Sequence, residues 1–188
     1  MVAAAHHSAC VLLVDGFEET EAVTVIDVLR RAGVRTAVVG VESRRVVGSH
    51  DIAIDADATL ADVRAGGARF DAVVLPGGMP GAASLRDSPE VRAFVVAQHR
   101  AGAIAAAICA APIALAAFGL LDGKRATCFP GFEAELGGAT FVDERVVDAG
   151  DVMTSRAVGT ALSFSLALVA RLSGPERADE LQRKMLVG

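Results

Sequence analysis

The amino-acid sequence predicts an α/β fold, a flavodoxin-like three-layer sandwich with a mostly parallel sheet and helices on both of its faces. Two features carry this prediction. Short apolar runs alternate along the chain with segments of helical periodicity, and several runs end in Gly or Pro, where a buried strand meets a loop. The chain has 188 residues, 53% of them apolar, and contains no linker or repeat. We therefore expect one domain over residues 1–188, with 1–8 disordered.

The individual elements follow in chain order. The apolar run 10–14 is predicted to be the first strand, and the amphipathic segment after Asp15-Gly16 is predicted to be a helix that Gly33 ends. Apolar runs predict further strands over 35–40, 70–75, 103–108, 125–128, 140–142, 145–147 and 151–154, and a hairpin that pairs 46–47 with 52–54. Further helices are predicted from an N-cap at Ser88 to Arg100, over 112–118 and 158–172, and from Pro175 onward.

Charge and composition exclude several classes of function. Lys and Arg number 18 against 23 Asp and Glu, a net charge of −5 without a polybasic run, so we expect no nucleic-acid binding. The three cysteines, Cys10, Cys109 and Cys128, are widely spaced, which predicts neither a disulfide framework nor a metal site. The N-terminus shows no signal-peptide pattern. We therefore expect reduced thiols and a cytoplasmic location.

One stretch raises the question of a membrane span. Residues 101–121 carry no charge, and ~20 apolar residues suffice to cross a bilayer. The stretch is mostly Ala, however, and Gly102, Pro112 and Gly119 interrupt it. We predict a buried strand, a turn and a short helix there, and no membrane association.

Three segments lie at the carboxyl ends of predicted strands, where parallel sheets bind ligands: 15–21, 76–78 and 108–112. In the last of these, Cys109 stands where a strand turns sharply into a helix among small neighbours, as the nucleophile does in the elbow of hydrolases. The first turn of a helix favours an anion, so we expect a lowered thiol pKa and a reactive thiolate. A buried structural cysteine is the alternative interpretation.

Glu21 is the candidate partner of this thiol. It shares a helix face with Val25 and Val28, which directs its carboxyl group toward the sheet. A carboxyl group buried there would have a raised pKa, and it could donate a hydrogen bond to the thiolate or act as general acid and base. Alternatively, Glu21 only complements the helix dipole, as we expect of Glu18 and Glu19.

Other groups are weaker candidates. Gly77 and Gly78 follow a predicted strand and allow a positive φ, with backbone N–H groups free to point at a ligand, but such pairs also form ordinary turns. Of the histidines, His50 falls in the hairpin and His99 near a helix end. The sequence therefore places no histidine as an obvious base for Cys109.

Taken together, these segments resemble the ThiJ/PfpI superfamily, and within it the branch of Parkinsonism-associated protein deglycases and their bacterial relatives. The resemblance covers nearly the whole chain. It runs, in the order found in the family, through the blocks 11–21, 27–33, 49–51, 71–78, 107–112, 154–156 and 159–160. So many blocks in one order are specific, and they imply the same flavodoxin-like fold.

The resemblance implies roles for particular residues. Cys109 would be the oxidation-prone nucleophile, Glu21 the acid hydrogen-bonded to it, and Gly78 and Ala110 the backbone donors of an oxyanion site. The expected pocket is lined by Gly77, Met79, Ala111 and Phe129. The family also implies a homodimer, in which His50 would approach the site of the other subunit.

Two positions depart from the family pattern. Phe129 stands where many members have a His near the cysteine, which weakens the case for a Cys-His dyad. Ala110 follows Cys109, whereas protease-like members have a His there. A Cys-His protease is therefore disfavoured.

The leading functional hypothesis is thiol chemistry on reactive dicarbonyls without cofactor or metal. In a glyoxalase III-type reaction, methylglyoxal or glyoxal would become a hydroxy acid, and the same attack on a glycated protein would be deglycase activity, both in defence against oxidative and carbonyl stress. The alternative is a redox sensor or chaperone that acts through oxidation of Cys109. A phosphoacceptor receiver domain is excluded, because Pro76 stands where the acceptor Asp belongs.

Overall fold

The structure is a computed structural model that describes residues 7–187. Its strands are β1 (Ser8–Leu13), β2 (Arg35–Gly40), β3 (Arg45–Val47), β4 (Ala53–Asp55), β5 (Ala58–Thr59), β6 (Ala72–Leu75), β7 (Ile104–Ile108), β8 (Arg125–Ala126), β9 (Thr140–Phe141), β10 (Val146–Asp148) and β11 (Val152–Ser155). Its helices are α1 (Glu19–Arg31), α2 (Leu60–Ala65), α3 (Gly81–Asp87), α4 (Pro89–Arg100), α5 (Pro112–Ala117), α6 (Ala161–Ser173) and α7 (Pro175–Lys184).

Seven of the strands form one sheet. Their order is β10-β11-β7-β6-β1-β2-β5, and all pairs are parallel except the edge pair β10–β11. The hairpin β3–β4 is antiparallel, and β8 and β9 form a short parallel ribbon. Parallel strands need crossover connections, which the helices supply.

The sheet is covered by helices on both faces. Side chains of β1 alternate between the two layers, with Cys10 and Leu12 on one side and Val11 and Leu13 on the other. Helices α2 to α5 pack on the first layer, and α1, α6 and α7 pack on the second. The predicted flavodoxin-like sandwich is therefore confirmed.

Most predicted elements are found close to their expected bounds. Ser88 caps α4, since its Oγ accepts a hydrogen bond from the Val91 N–H at 3.3 Å. The uncharged stretch 101–121 folds as β7, a sharp turn and α5, as expected. Within residues 7–187, no helix combines the length and the apolar character that a membrane crossing requires.

Three differences have local causes. Helices α2 and α3 were not predicted, although Thr59 and Asp62 form a capping box at the start of α2. The helix predicted over 158–172 starts at Ala161, because 158–160 form a 3₁₀ turn. The disorder expected for 1–8 does not extend to Ser8, which opens β1 and donates its N–H to the Asp71 carboxylate at 2.7 Å. Residues 1–6 lie outside the described residues.

Candidate active site

Three neighbouring strands bring the candidate residues to one edge of the sheet. Strands β7, β6 and β1 are adjacent, and their carboxyl ends lead into Cys109, the 76–78 loop and the start of α1. Loops at this edge of a parallel sheet meet in a crevice. The sequence-based expectation that these three segments lie together is confirmed.

Cys109 adopts the backbone conformation of a nucleophile elbow. Its φ is +64°, in a region that residues other than Gly rarely occupy and that costs roughly 1–3 kcal/mol. Two hydrogen bonds hold this backbone: the Cys109 N–H donates to the Ser155 carbonyl at 3.0 Å, and the Phe129 N–H donates to the Cys109 carbonyl at 2.8 Å. The side chain is only partly buried, so the sulfur is not enclosed in the core.

Glu21 directs its carboxyl group into the site. The residue is completely buried, and its Oε2 accepts a hydrogen bond from the Gly77 N–H at 2.8 Å. Its Oε1 is also buried and has no hydrogen-bond partner of regular geometry among the described residues. The Glu18 carboxylate caps the helix by accepting the Glu21 N–H at 2.6 Å.

The environment of Glu21 favours its neutral form. Burial raises the pKa of the Glu21 carboxyl group to about 7, because desolvation penalises the charged form. The Gly77 N–H opposes this rise, the negative charge of Glu18 adds to it, and the hydrogen bond with Cys109 again opposes it. A carboxyl group that titrates near neutral pH is suited to both take up and release a proton.

The thiol itself is not acidic, which contradicts the sequence-based expectation. Burial raises the pKa of the Cys109 thiol to about 12, and the Glu21 carboxylate adds to the rise. The backbone N–H groups of Ala110 and Gly78 face the sulfur and lower the pKa of the thiol, but their effect does not outweigh that of desolvation. Between the two pKa values the pair shares one proton and one negative charge, so it titrates as a unit.

Both glycines of the 77–78 loop are required by close packing. A Cβ atom on Gly77 would lie 2.6 Å from the Cys109 Cβ and 2.7 Å from the Glu21 Oε2. Gly78 has a φ of +93°, and a Cβ there would lie 2.4 Å from the Glu18 nitrogen. Side chains at either position would separate the thiol from the carboxyl group or displace the start of α1.

The remaining predicted pocket residues divide into two groups. Met79 and Phe129 are exposed by 49% and 41%. Met79 follows Gly78, whose N–H faces the sulfur, and the Phe129 N–H donates to the Cys109 carbonyl. Ala111, in contrast, is completely buried in the core layer of α5, so it lines no open pocket, and that expectation is wrong. The Ala110 side chain is also buried, and only its N–H faces the sulfur.

Within residues 7–187, no histidine side chain forms a hydrogen bond with the Cys109 thiol. His50 binds the Glu19 carboxylate through Nδ1 at 2.9 Å, and His99 binds Asp151 at 3.0 Å. Phe129 does stand beside Cys109 in place of a histidine, but it contributes its backbone N–H there. Among the described residues, Glu21 is therefore the side chain whose charge and hydrogen bond shift the pKa of the Cys109 thiol.

Glu19 is the functional candidate that sequence reasoning missed. It is 4% exposed and accepts hydrogen bonds from the His50 N–H at 2.6 Å and from the Ile52 N–H at 3.4 Å. Despite desolvation, these hydrogen bonds and that of the His50 ring lower the pKa of Glu19 to about 2. In the sequence, an acid in the first turn of a helix is most simply interpreted as a partner of the helix dipole. The residues around Glu19 in the sequence do not indicate that it contacts a distant hairpin.

One cluster of metal-ligating atoms occurs among the described residues. Donor atoms of Glu18, Glu19 and His50 lie within 4.8 Å of one another. The Glu19 carboxylate already accepts several hydrogen bonds from the hairpin, and Glu18 accepts the Glu21 N–H. These hydrogen bonds account for the cluster without a metal ion.

The chain is similar to known proteins over nearly its whole length. The model of the DJ-1/PfpI family matches residues 7–171. Protein dj-1beta of Drosophila melanogaster is 39% identical over 183 residues, which are 96% of this chain and 97% of that protein. Its crystal structure is similar with a TM-score of 0.92, covering 97% of this chain and 98% of that one. The glutathione-independent glyoxalase DJR-1.2 of Caenorhabditis elegans is 34% identical over 185 residues, 97% of each protein. The chain therefore belongs to the DJ-1/PfpI family, as the resemblance of its motifs predicted.

Proposed function

We propose that the protein converts reactive α-dicarbonyls such as methylglyoxal and glyoxal to hydroxy acids, with Cys109 as nucleophile and Glu21 as proton carrier. The observation that carries the proposal is the buried Glu21 carboxyl group, with a pKa of about 7, beside a thiol on an elbow turn. A relative named as a glutathione-independent glyoxalase supports the reaction class. The proposal needs no bound cofactor or metal.

In the first step, the thiol adds to the aldehyde. The Glu21 carboxylate takes the thiol proton as the sulfur forms a bond to the aldehyde carbon, and the carbonyl electron pair moves to the oxygen. The N–H groups of Gly78 and Ala110, which face the sulfur, are placed to bind the developing oxyanion. Protonated Glu21 then returns the proton to that oxygen, and a hemithioacetal results.

In the following steps, the hemithioacetal becomes the product. Glu21 removes the proton from the former aldehyde carbon and passes it to the ketone oxygen, which gives an enediol. Glu21 then takes the proton of the hydroxyl group on the sulfur-bearing carbon and delivers it to the neighbouring carbon, which yields a thioester of the hydroxy acid. Water hydrolyses the thioester, releasing the acid and regenerating the thiol. The aldehyde carbon is oxidised and the ketone carbon reduced, so methylglyoxal and water give lactate with no external oxidant.

The same nucleophile supports two related proposals. Attack on an early glycation adduct would release the aldehyde from a protein, which is deglycase activity. A redox sensor is the second candidate function. It is favoured by the Glu21 Oε1, which lacks a partner of regular geometry among the described residues and, when protonated, could donate to the oxygens of an oxidised sulfur. Every one of these activities needs Cys109 to be reduced before it reacts, which suits a cytoplasmic location.

Lactate formation from methylglyoxal tests the proposal. Cys109→Ala removes the nucleophile and Glu21→Gln the proton carrier, so each is expected to lower kcat about 10²- to 10⁴-fold. Glu42→Gln, an exposed acid of the β2–β3 connection, is the matched control and is expected to act as wild type. Wild-type rates in the first two variants would contradict the mechanism. No lactate from wild type, together with oxygen added to Cys109 by mild peroxide in the intact mass, would favour the sensor.

A further inference from the structure

The hairpin β3–β4 is bound to the segment that carries Glu21. The Gly16 N–H donates to the Val47 carbonyl at 2.8 Å, and the Val47 N–H donates to the Asp15 carboxylate at 2.9 Å. In the turn of the hairpin, the Ser49 N–H donates to the Phe17 carbonyl at 2.8 Å. These hydrogen bonds join residues 15–17 to residues 47–49, which lie about thirty residues later in the sequence.

Glu19 forms the buried centre of this contact. Its carboxylate accepts the His50 N–H at 2.6 Å and the His50 ring nitrogen at 2.9 Å. The Gly48 backbone approaches so closely that a Cβ there would lie 2.2 Å from the Glu19 Oε1. A buried carboxylate that satisfies two donors of a turn fixes that turn far more firmly than an exposed ion pair does.

The same segment is bound on its other side to the 77–81 loop. The Glu18 N–H donates to the Gly77 carbonyl at 2.8 Å, and the Gly81 N–H donates to the Gly16 carbonyl at 3.3 Å. The Gly77 N–H in turn donates to the Glu21 carboxylate. The start of α1 therefore lies between the hairpin on one side and the loop of the site on the other.

We propose that Glu19 is a positioning residue: by anchoring the hairpin turn at Gly48–His50, it holds the start of α1 so that the Glu21 carboxyl group stays buried against Gly77 and Cys109. This inference rests on the proposed function of the same site. It assigns to the hairpin a role that the reaction itself does not require. The Glu19 side chain points at the hairpin and does not contact the sulfur.

Anchoring of the hairpin also affects proton transfer between Glu21 and Cys109. The charged and titratable groups that face this arrangement are Glu18 and Cys109 around Glu21, and His50 and Asp51 in the hairpin turn. Glu21 keeps its raised pKa because it is desolvated. If the hairpin detaches, water reaches the start of α1, and the pKa of Glu21 falls toward its ordinary value. The shared proton then stays on the sulfur, and less thiolate forms.

Two variants test the anchor by different means. Glu19→Gln removes the charge and keeps the size of the side chain. Gly48→Ala adds a methyl group against Glu19 and changes no charge, and Gly48 has no positive φ that alanine would strain. Glu42→Gln serves as the control for removing an acid close to the hairpin.

The readout is the rate of alkylation of Cys109 by iodoacetamide against pH, measured on the Cys109 peptide by mass spectrometry. It does not depend on turnover, so it stays informative if the protein has no glyoxalase activity. In both test variants, we expect the lower inflection to fall by at least about one pH unit and the rate at pH 8 to fall several-fold. Where lactate forms, kcat should fall about 10- to 100-fold with little change in KM.

Other results would contradict the positioning role of Glu19 or the proposed function. If Glu19→Gln and Gly48→Ala fold and show the same alkylation inflection and the same rate at pH 8 as Glu42→Gln, the inference is overturned. If Glu19→Gln fails to fold, Gly48→Ala decides: a wild-type profile in Gly48→Ala would show that Glu19 only stabilises the fold, and this too would overturn the positioning role. A shifted profile without any lactate formation would retain the inference and contradict the proposed function instead.

Discussion

At the scale of single residues, the proposed chemistry depends on the difference in pKa between the buried Glu21 carboxyl group and the partly buried Cys109 thiol. Desolvation raises the pKa of the Glu21 carboxyl group to about 7 and that of the Cys109 thiol to about 12. A thiol with a raised pKa is mostly protonated at neutral pH, and the thiolate is the reactive form, so the proposed attack needs a base. In the proposed mechanism, Glu21 supplies the base at the moment of attack. That mechanism needs no histidine, so Phe129 can occupy the position.

Glu21 should also make folding stability depend on pH. Its pKa in the folded protein is about 7, against an ordinary value of 4.5 for a solvated glutamate side chain. Because the folded-state pKa is raised, the stabilising contribution of neutral Glu21 is complete below pH 4.5 and is lost as pH rises through 7. At 1.36 kcal/mol per pH unit, the loss is about 3 kcal/mol.

Glu21→Gln carries no charge and should escape this loss. We expect its free energy of unfolding, relative to wild type, to rise by about 3 kcal/mol between pH 4.5 and pH 8, as urea denaturation would measure. Glu42→Gln, which removes an exposed acid, should run parallel to wild type. A Glu21→Gln curve that is also parallel to wild type would mean that Glu21 is charged and solvated in the folded protein.

At the scale of elements, the sequence predicts those whose signals are local. The N-cap at Ser88 with Pro89 marks the start of α4, and the apolar run of β7 ending at Cys109 marks the elbow. Helix α3 escapes prediction because it begins at Gly81 after a proline and has no side-chain cap. Helix α2 does have a capping box, at Thr59 and Asp62, but at six residues it is too short to show a clear period.

The residues of the site, too, could be predicted only where their signals are local in the sequence. Glu21 could be predicted because its burial follows from the apolar face of its own helix. Glu19 could not, because its partners come from a hairpin about thirty residues away. The thiol pKa was predicted in the wrong direction, since a helix start is visible in the sequence whereas the depth of burial is not. Ala111 was misplaced for the same reason.

At the scale of the whole molecule, three exposed apolar side chains lie on α1 and on the hairpin β3–β4. Val23 on α1 is 50% exposed, and on the neighbouring hairpin Val47 and Ile52 are 37% and 57% exposed. The hairpin is hydrogen-bonded to the residues that lead into α1, so the two elements adjoin. We propose that a second copy of the chain covers this surface, forming the homodimer that the family resemblance implies and carrying His50 toward the other subunit.

Ile52→Asp tests this surface. A charge buried without a partner costs several kcal/mol, so we expect the variant to weaken association at least about 100-fold and to elute as a monomer in size exclusion with light scattering. Leu186→Asp, which alters an apolar side chain that is 90% exposed near the C-terminus, is the control and should elute as wild type. A wild-type protein that is itself monomeric at micromolar concentration would rule the dimer out.

The pH dependence of Cys109 alkylation, in wild type and in Glu21→Gln, tests most directly whether the carboxyl group controls the thiol. If it does, the wild-type rate rises with an inflection near pH 7, where Glu21 loses its proton, and Glu21→Gln shows no inflection there. If both proteins instead follow one curve with an inflection near pH 8.5, as a free thiol would at about that pKa, Cys109 ionises without Glu21 and the account is contradicted.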